Sequence, residues 1–197
     1  LMYSRDTPAE KELATIRLGG YLDKAPNNEF RAVIQNIDAS KLSVSGLNNI
    51  SLVGNGNANT ITGSAGNDVI QGGGGADVIN GGGGNDTIIY DAKDASVTGG
   101  KGMDTLSIGA GGNLLDLTQA GRPDPAALHP TLQSLETFNL ANNSADLLIV
   151  SPASLYAMGN VSNTLTLTTD GATDRVFVDG TWGSPTYDGT YDVYTGT

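Results

Sequence analysis

The chain has 197 residues, no cysteine, 28 glycines and a net charge of −11. Without cysteine there is no disulfide framework, no thiol chemistry and no Cys-ligated zinc site. The acidic balance argues against nucleic acid and anionic membranes as partners, since both require a basic face. The acid is 17 Asp against 4 Glu, with 17 Asn alongside. These short side chains suit tight turns and oxygen-rich metal sites. No apolar run approaches a membrane span, the longest being Leu147 to Val150, and no apolar stretch follows the N-terminal residues as in a signal peptide.

Residues 1–53 are expected to cap the fold. Thr7 can cap a helix, Pro8 suits its first position and Glu10 completes a capping box. Ala9, Leu13 and Ile16 then share one face, and Gly19-Gly20 ends it, which predicts a helix over 8–18 docked on an edge of the fold. Further on, Phe30, Val33, Ile34 and Ile37 fit a helical stripe, whereas Leu42, Val44, Ile50 and Leu52 alternate like leading strands.

Residues 54–107 repeat with a period of nine. One nonapeptide reads Gly72-Gly73-Gly74-Gly75-Ala76-Asp77-Val78-Ile79-Asn80, and the next runs from Gly81 to Ile89 with Asp86 and Ile88 in the same phase. The copy starting at Gly63 carries Gly66, Asp68 and Ile70, and a more distant one starting at Gly99 carries Asp104 and Leu106. The copy starting at Gly54 has Asn59 where the others have Asp. Between two of these, Tyr90 to Thr98 has no glycine but is nine residues long and keeps Val97 at the aliphatic position. It is a degenerate repeat that keeps the strand and loses the turn. The pattern is G-G-x-G-x-D-x-U-x, a parallel β-helix repeat associated with calcium. Its glycines allow a tight turn whose carbonyls and carboxylate converge, a hard-oxygen environment suited to calcium. Its aliphatics, Ile61, Ile70, Ile79, Ile88, Val97 and Leu106, point inward from three-residue strands.

These residues resemble the repeats-in-toxin (RTX) family, or hemolysin-type calcium-binding repeats. The resemblance implies a mainly β fold, a calcium-binding parallel β-roll in which two nonapeptides make one 18-residue coil and calcium lies between turns stacked on the same side. It implies metal ligands at the first, third and sixth positions: Gly63, Ala65 and Asp68; Gly72, Gly74 and Asp77; Gly81, Gly83 and Asp86; Gly99, Lys101 and Asp104; with Asn59 in the first turn. The alternation puts Asp68, Asp86 and Asp104 on one side, where two good Ca2+ sites are expected. Asn59 and Asp77 fall on the other, with at most one weaker site and none beyond Asp77, because Ala95 stands where the next Asp would be.

Residues 108–197 are expected to form a β-rich module of mixed, mostly antiparallel strands. Asp-Gly pairs at 170–171, 179–180 and 188–189 read as hairpin turns, residues 121–130 as a loop, and a short helix from Pro152 is capped by Ser151 and ended by Gly159. The run from Asp174 to Gly183, followed by Tyr187 to Tyr194, resembles the C-terminal region of large RTX adhesins exported by type I secretion. No enzymatic role is expected. His129, the one histidine, lies in the Pro-rich loop without an orienting partner, and neither H-E-x-x-H nor G-x-S-x-G occurs. Trp182 with Tyr187, Tyr191 and Tyr194 suits aromatic packing of a small module, with an aromatic sugar- or peptide-binding surface as the alternative. Asp91 and Asp94 are expected as a solvated turn, with a further cation as the alternative.

The expected function is a calcium-folded module of a secreted or cell-surface bacterial adhesin. Its partners are calcium and a surface, glycan or protein ligand, or further copies of itself. The alternatives are the calcium-binding tail of a secreted protease or lipase and a subunit of a calcium-dependent S-layer or filament.

Overall fold

A computed structural model describes residues 14–17, 36–41, 50–109, 114–117, 131–159, 165–170, 174–180, 186–187 and 192–193. The expected loop at 121–130 with His129, and Trp182, Tyr191 and Tyr194, lie outside them.

The repeat folds as two parallel sheets that the chain visits in turn. One contains β1 (Ala14–Arg17), β3 (Ile50–Asn55), β5 (Val69–Gly73), β7 (Thr87–Tyr90), β9 (Thr105–Ile108), β12 (Thr137–Asn139) and β14 (Thr166–Thr168), in that spatial order. The other contains β2 (Asn36–Asp38), β4 (Thr60–Thr62), β6 (Val78–Gly83), β8 (Ser96–Lys101) and β11 (Thr131–Gln133), likewise in chain order. Leu52, Ile70, Ile88 and Leu106 pair in one column, and Ile61, Ile79 and Val97 in the other. The step within each column is 18 residues, so two nonapeptides make one coil. Val97 pairs with Ile79, which places Tyr90–Thr98 in phase as a repeat without glycine.

The aliphatic of each strand fills the space between the sheets. Leu52, Ile61, Ile70, Ile88, Val97 and Leu106 are fully buried, and their strand neighbours are half-buried or exposed. A parallel sheet normally needs cover on both faces. Here the narrow coil puts the inner face of each sheet against the other, and the polar neighbours, chiefly Thr, Ser, Asn and Gln, meet water.

Three expectations are corrected. Residues 14–17 form β1, paired in parallel with Ile50–Val53, instead of the last turn of a helix. The rest of the expected helix, 8–13 and 18, lies outside the described residues. Thr15 and Ile16 are β-branched, and the open edge of β3 offers hydrogen-bond partners to any neighbouring strand, which outweighs the local capping signals. The C-terminal region is likewise not mostly antiparallel. There β11, β12 and β14 extend the two sheets of the roll in parallel, and β10 (Leu114–Asp116), β13 (Leu147–Val150) and β15 (Arg175–Val178) form a third parallel sheet. Only β16 (Thr186–Tyr187) and β17 (Asp192–Val193) pair antiparallel among the described strands. The last strand of a stack presents a row of unused donors and acceptors along its edge, and continuing the coil satisfies them. For the same reason β14 and β15, the strands on either side of the expected turn at 170–171, do not pair as a hairpin: β14 pairs with β12, and β15 with β13.

The short helix forms as expected. α1 (Pro152–Ala157) has Ser151 as N-cap in a capping box with Ser154, and Gly159 follows its C-cap at φ +66°. Its Met158 carbonyl accepts from Ser134 N–H at 2.8 Å, tying α1 to the turn before β12.

Candidate metal centre

Four of the repeat turns end in an Asp immediately before a strand, the Gly54 turn ends in Asn59, and the carboxylates form a ladder. Asp68 Oδ1 accepts from Ile50 N–H, Asp86 Oδ1 from Asp68 N–H at 2.8 Å and Asp104 Oδ1 from Asp86 N–H at 2.8 Å. On the other side Asp77 Oδ1 accepts from Asn59 N–H at 2.6 Å. The two-sided sorting is therefore as expected, with Asp68, Asp86 and Asp104 in one column and Asn59 and Asp77 in the other. All five side chains are buried.

The ladder uses one carboxylate oxygen per residue; the second oxygen of Asp68 accepts from Ser64 N–H at 2.6 Å, and those of the other three Asp residues are left. Asp77, Asp86 and Asp104 Oδ2 are buried with no hydrogen-bond partner among the described residues. Buried polar atoms are rarely left so, and an unpaired buried carboxylate is among the costliest groups a fold can hold. Burial pushes Asp86 up to about 7, and neighbouring Asp104 and Asp68 add to the rise. Burial likewise raises Asp77 and Asp104, with Asp91 and Glu136 respectively adding negative charge. No basic side chain contributes to the shift of any of these groups.

The first glycine of each turn has oxygens packed on its Cα. At Gly81 a Cβ would collide with both Asp86 Oδ2 and the Gly99 carbonyl oxygen, which comes from the next turn on the same side. Gly63 has Asp68 Oδ2 and the Gly81 carbonyl in the same places, and Gly54 has Asn59 Oδ1 and the Gly72 carbonyl. Thus a carboxylate or amide oxygen of one turn and a backbone carbonyl of the next converge. Gly82, in the following position, has φ +102° and leans on the Ser64 carbonyl, so only glycine turns the chain there without strain. Third-position residues stack through their backbones: Gly74 N–H donates to the Asn55 carbonyl and Gly83 N–H to the Ser64 carbonyl, each at 2.9 Å, Gly83 lies over Ala65, and Lys101 pairs with Gly83. The Lys101 side chain is exposed and its ammonium has no lone pair, which leaves its carbonyl as the one oxygen this residue could offer a metal.

These donors fit a hard cation. They are all oxygens, three of the turns offer an unpartnered carboxylate oxygen, from Asp77, Asp86 and Asp104, and calcium accepts six to eight oxygen ligands in adaptable geometry. Among the described residues no three carboxylate or histidine side chains converge, so backbone carbonyls must complete each ligand set.

A family model for the RTX calcium-binding nonapeptide repeat matches residues 53–88 in four copies. The chain carries RTX calcium-binding repeats. Gly99–Ser107, beyond the matched span, continues the RTX roll by geometry. No curated protein and no solved structure matches the chain.

Several members of the RTX ladder escape a sequence reading. Asp104 N–H donates to Glu136 Oε2 at 2.8 Å, and a Cβ on Gly99 would collide with the Ser134 carbonyl and Asp104 Oδ2. Ser134 and Glu136 thus take the places of a glycine and an aspartate of a following repeat, although 32 residues separate Asp104 from Glu136. Ser134 adopts φ +49°, held by its bond to the end of α1. The third sheet repeats the device, with Asp146 N–H donating to Asp174 Oδ1 at 3.1 Å. The one available signal is an acidic residue directly before each short apolar strand: Glu136 before β12, Asp146 before β13, Asp174 before β15. Asp94 was expected in a solvated turn, but it is only 4% exposed, and burial together with neighbouring Asp77 pushes it up to about 7.

Proposed function

We propose that the chain is a non-enzymatic module whose folding is coupled to calcium, from a secreted bacterial surface protein of the adhesin kind. The observation that carries this is the set of buried carboxylates, Asp77, Asp86 and Asp104, whose second oxygens have no hydrogen-bond partner among the described residues and whose raised values no basic side chain offsets. Without a cation these groups repel one another and oppose the coil. A cation bound between stacked turns neutralises them, and its binding free energy becomes folding free energy. RTX repeats are typical of secreted bacterial proteins, and among the described residues no helix is long and apolar enough to cross a membrane. Low calcium inside the cell keeps such a chain extended for export, and the calcium of the surrounding medium folds it. The adhesin assignment rests on the resemblance of residues 174–194 to RTX adhesin C-terminal regions.

Circular dichroism of the chelated chain at pH 8, titrated with calcium and separately with magnesium, tests the coupling. The β signal is expected to be low in chelator and to return with calcium at concentrations found outside cells, with magnesium far less effective. A full β signal in chelator would refute it.

A further inference from the structure

The degenerate repeat builds an oxygen cluster of its own. Its backbone keeps the coil, since Ala95 and Ser96 N–H both donate to the Asp77 carbonyl, at 2.8 and 3.1 Å. Without glycines it cannot make the repeat turn. Instead Asp91 to Asp94 close a tight turn, with Asp94 N–H on the Asp91 carbonyl at 3.0 Å and Lys93 N–H on Asp91 Oδ1 at 3.0 Å. This turn carries Asp94 inward one residue ahead of the position where a repeat holds its Asp. Ala95, which occupies that position, is exposed.

The Asp94 carboxyl lies against that of Asp77. Tyr90 ends β7 on its inward face, in phase with Ile88, and its phenol is under the influence of Asp94 and Asp91. Asp77 Oδ2, Asp94 Oδ1 and the Tyr90 hydroxyl are all buried without a hydrogen-bond partner among the described residues. Lys93, the nearest base in sequence, is exposed. The Tyr90 hydroxyl is a second observation, independent of the acidic pair: phenols buried in proteins ordinarily find a partner.

We propose that Asp77, Asp94 and Tyr90 hold a further hard divalent cation, calcium under the conditions in which the roll folds, on the side of the roll opposite the Asp68–Asp86–Asp104 ladder. This rests on the calcium-folded reading and departs from the sequence expectation of no site beyond Asp77. Two carboxylates and a phenol supply charge and oxygen donors, and backbone carbonyls and water complete a calcium shell. The repeat that lost its glycines therefore retains metal binding through side chains. The competing occupant is a proton shared by the two carboxyls.

Calcium stoichiometry, measured by equilibrium dialysis at pH 8 on the full chain and on Asp94→Asn, separates the two. The site predicts one fewer bound calcium in Asp94→Asn, with the roll still formed in calcium by circular dichroism. An unchanged number overturns the proposal and leaves the calcium-folded reading standing, whereas a wild-type chain that binds no calcium overturns both. Should Asp94→Asn fail to fold, Tyr90→Phe decides with terbium as the probe. Loss of a tyrosine-sensitised component of terbium emission supports the site, and unchanged emission refutes it.

Discussion

Asp86→Asn separates the two roles of the ladder, hydrogen bonding and charge. Asn keeps an oxygen for the Asp68 N–H now bonded at 2.8 Å. What it removes is a carboxylate that burial raises from 3.8 to about 7. A raised carboxyl binds its proton more tightly in the folded chain than in the unfolded one. Its contribution to stability is therefore present below the unfolded value and is lost as pH rises to about 7, flattening above. At 1.36 kcal/mol per pKa unit, the metal-free roll loses about 2–4 kcal/mol from this residue between pH 4 and pH 8, the lower figure allowing for solvent screening at the turn. The assay is folding in chelator, driven by an excluded osmolyte that does not itself titrate, such as sucrose, and followed by circular dichroism. The wild-type chain is expected to need more osmolyte at pH 8 than at pH 4, and Asp86→Asn to narrow that gap without closing it, since Asp77, Asp94 and Asp104 are raised as well. A wild-type chain that folds more easily as pH rises, or a variant with an unchanged gap, refutes the reasoning.

Three further outcomes are expected. Gly81→Ala places a methyl against Asp86 Oδ2 and the Gly99 carbonyl, and should lower stability in calcium by about 2 kcal/mol or more in a urea titration. Glu136→Ala strands the buried Asp104 N–H and should cost about 1–3 kcal/mol, while Glu136→Gln keeps the acceptor and should cost clearly less by the same titration. In calcium titrations, Asp86→Ala should raise the folding midpoint more than Asp68→Ala, because Asp86 is bonded to a carboxylate residue on either side, through Oδ1 to Asp68 and through its N–H to Asp104, and its Oδ2 is unpartnered, whereas Asp68 Oδ2 already accepts from Ser64 N–H.

What could be read in the sequence is what the coil repeats at fixed spacing. An aliphatic every ninth residue and an Asp two residues before most of them required neither contacts nor relatives to see, and Val97 marked Tyr90–Thr98 as in phase even without glycine. The limits have the same origin. Leu106 pairs with Phe138, and Phe138 with Leu167, across 32 and 29 residues, so the continuing parallel stack has no period to detect. Its strands, separated by Asp-Gly and proline, therefore resembled hairpins. Asp94 does the work of a repeat Asp one residue out of phase, and Ala95 at the expected position concealed it. In residues 14–17, helical spacing of Leu13 and Ile16 was genuine local information, overridden by the parallel edge of β3, which lies more than thirty residues downstream and is invisible to a local pattern.

The central claim, that a cation holds the stacked turns together, is tested most directly by hydrogen exchange at the backbone amides of Asp68 and Asp86. Each donates to the carboxylate of the next turn, so each reports the ladder itself. With calcium bound both amides should exchange slowly, and with chelator at the same pH both should exchange at the rate of an open chain. Equal protection in the two conditions would contradict the account.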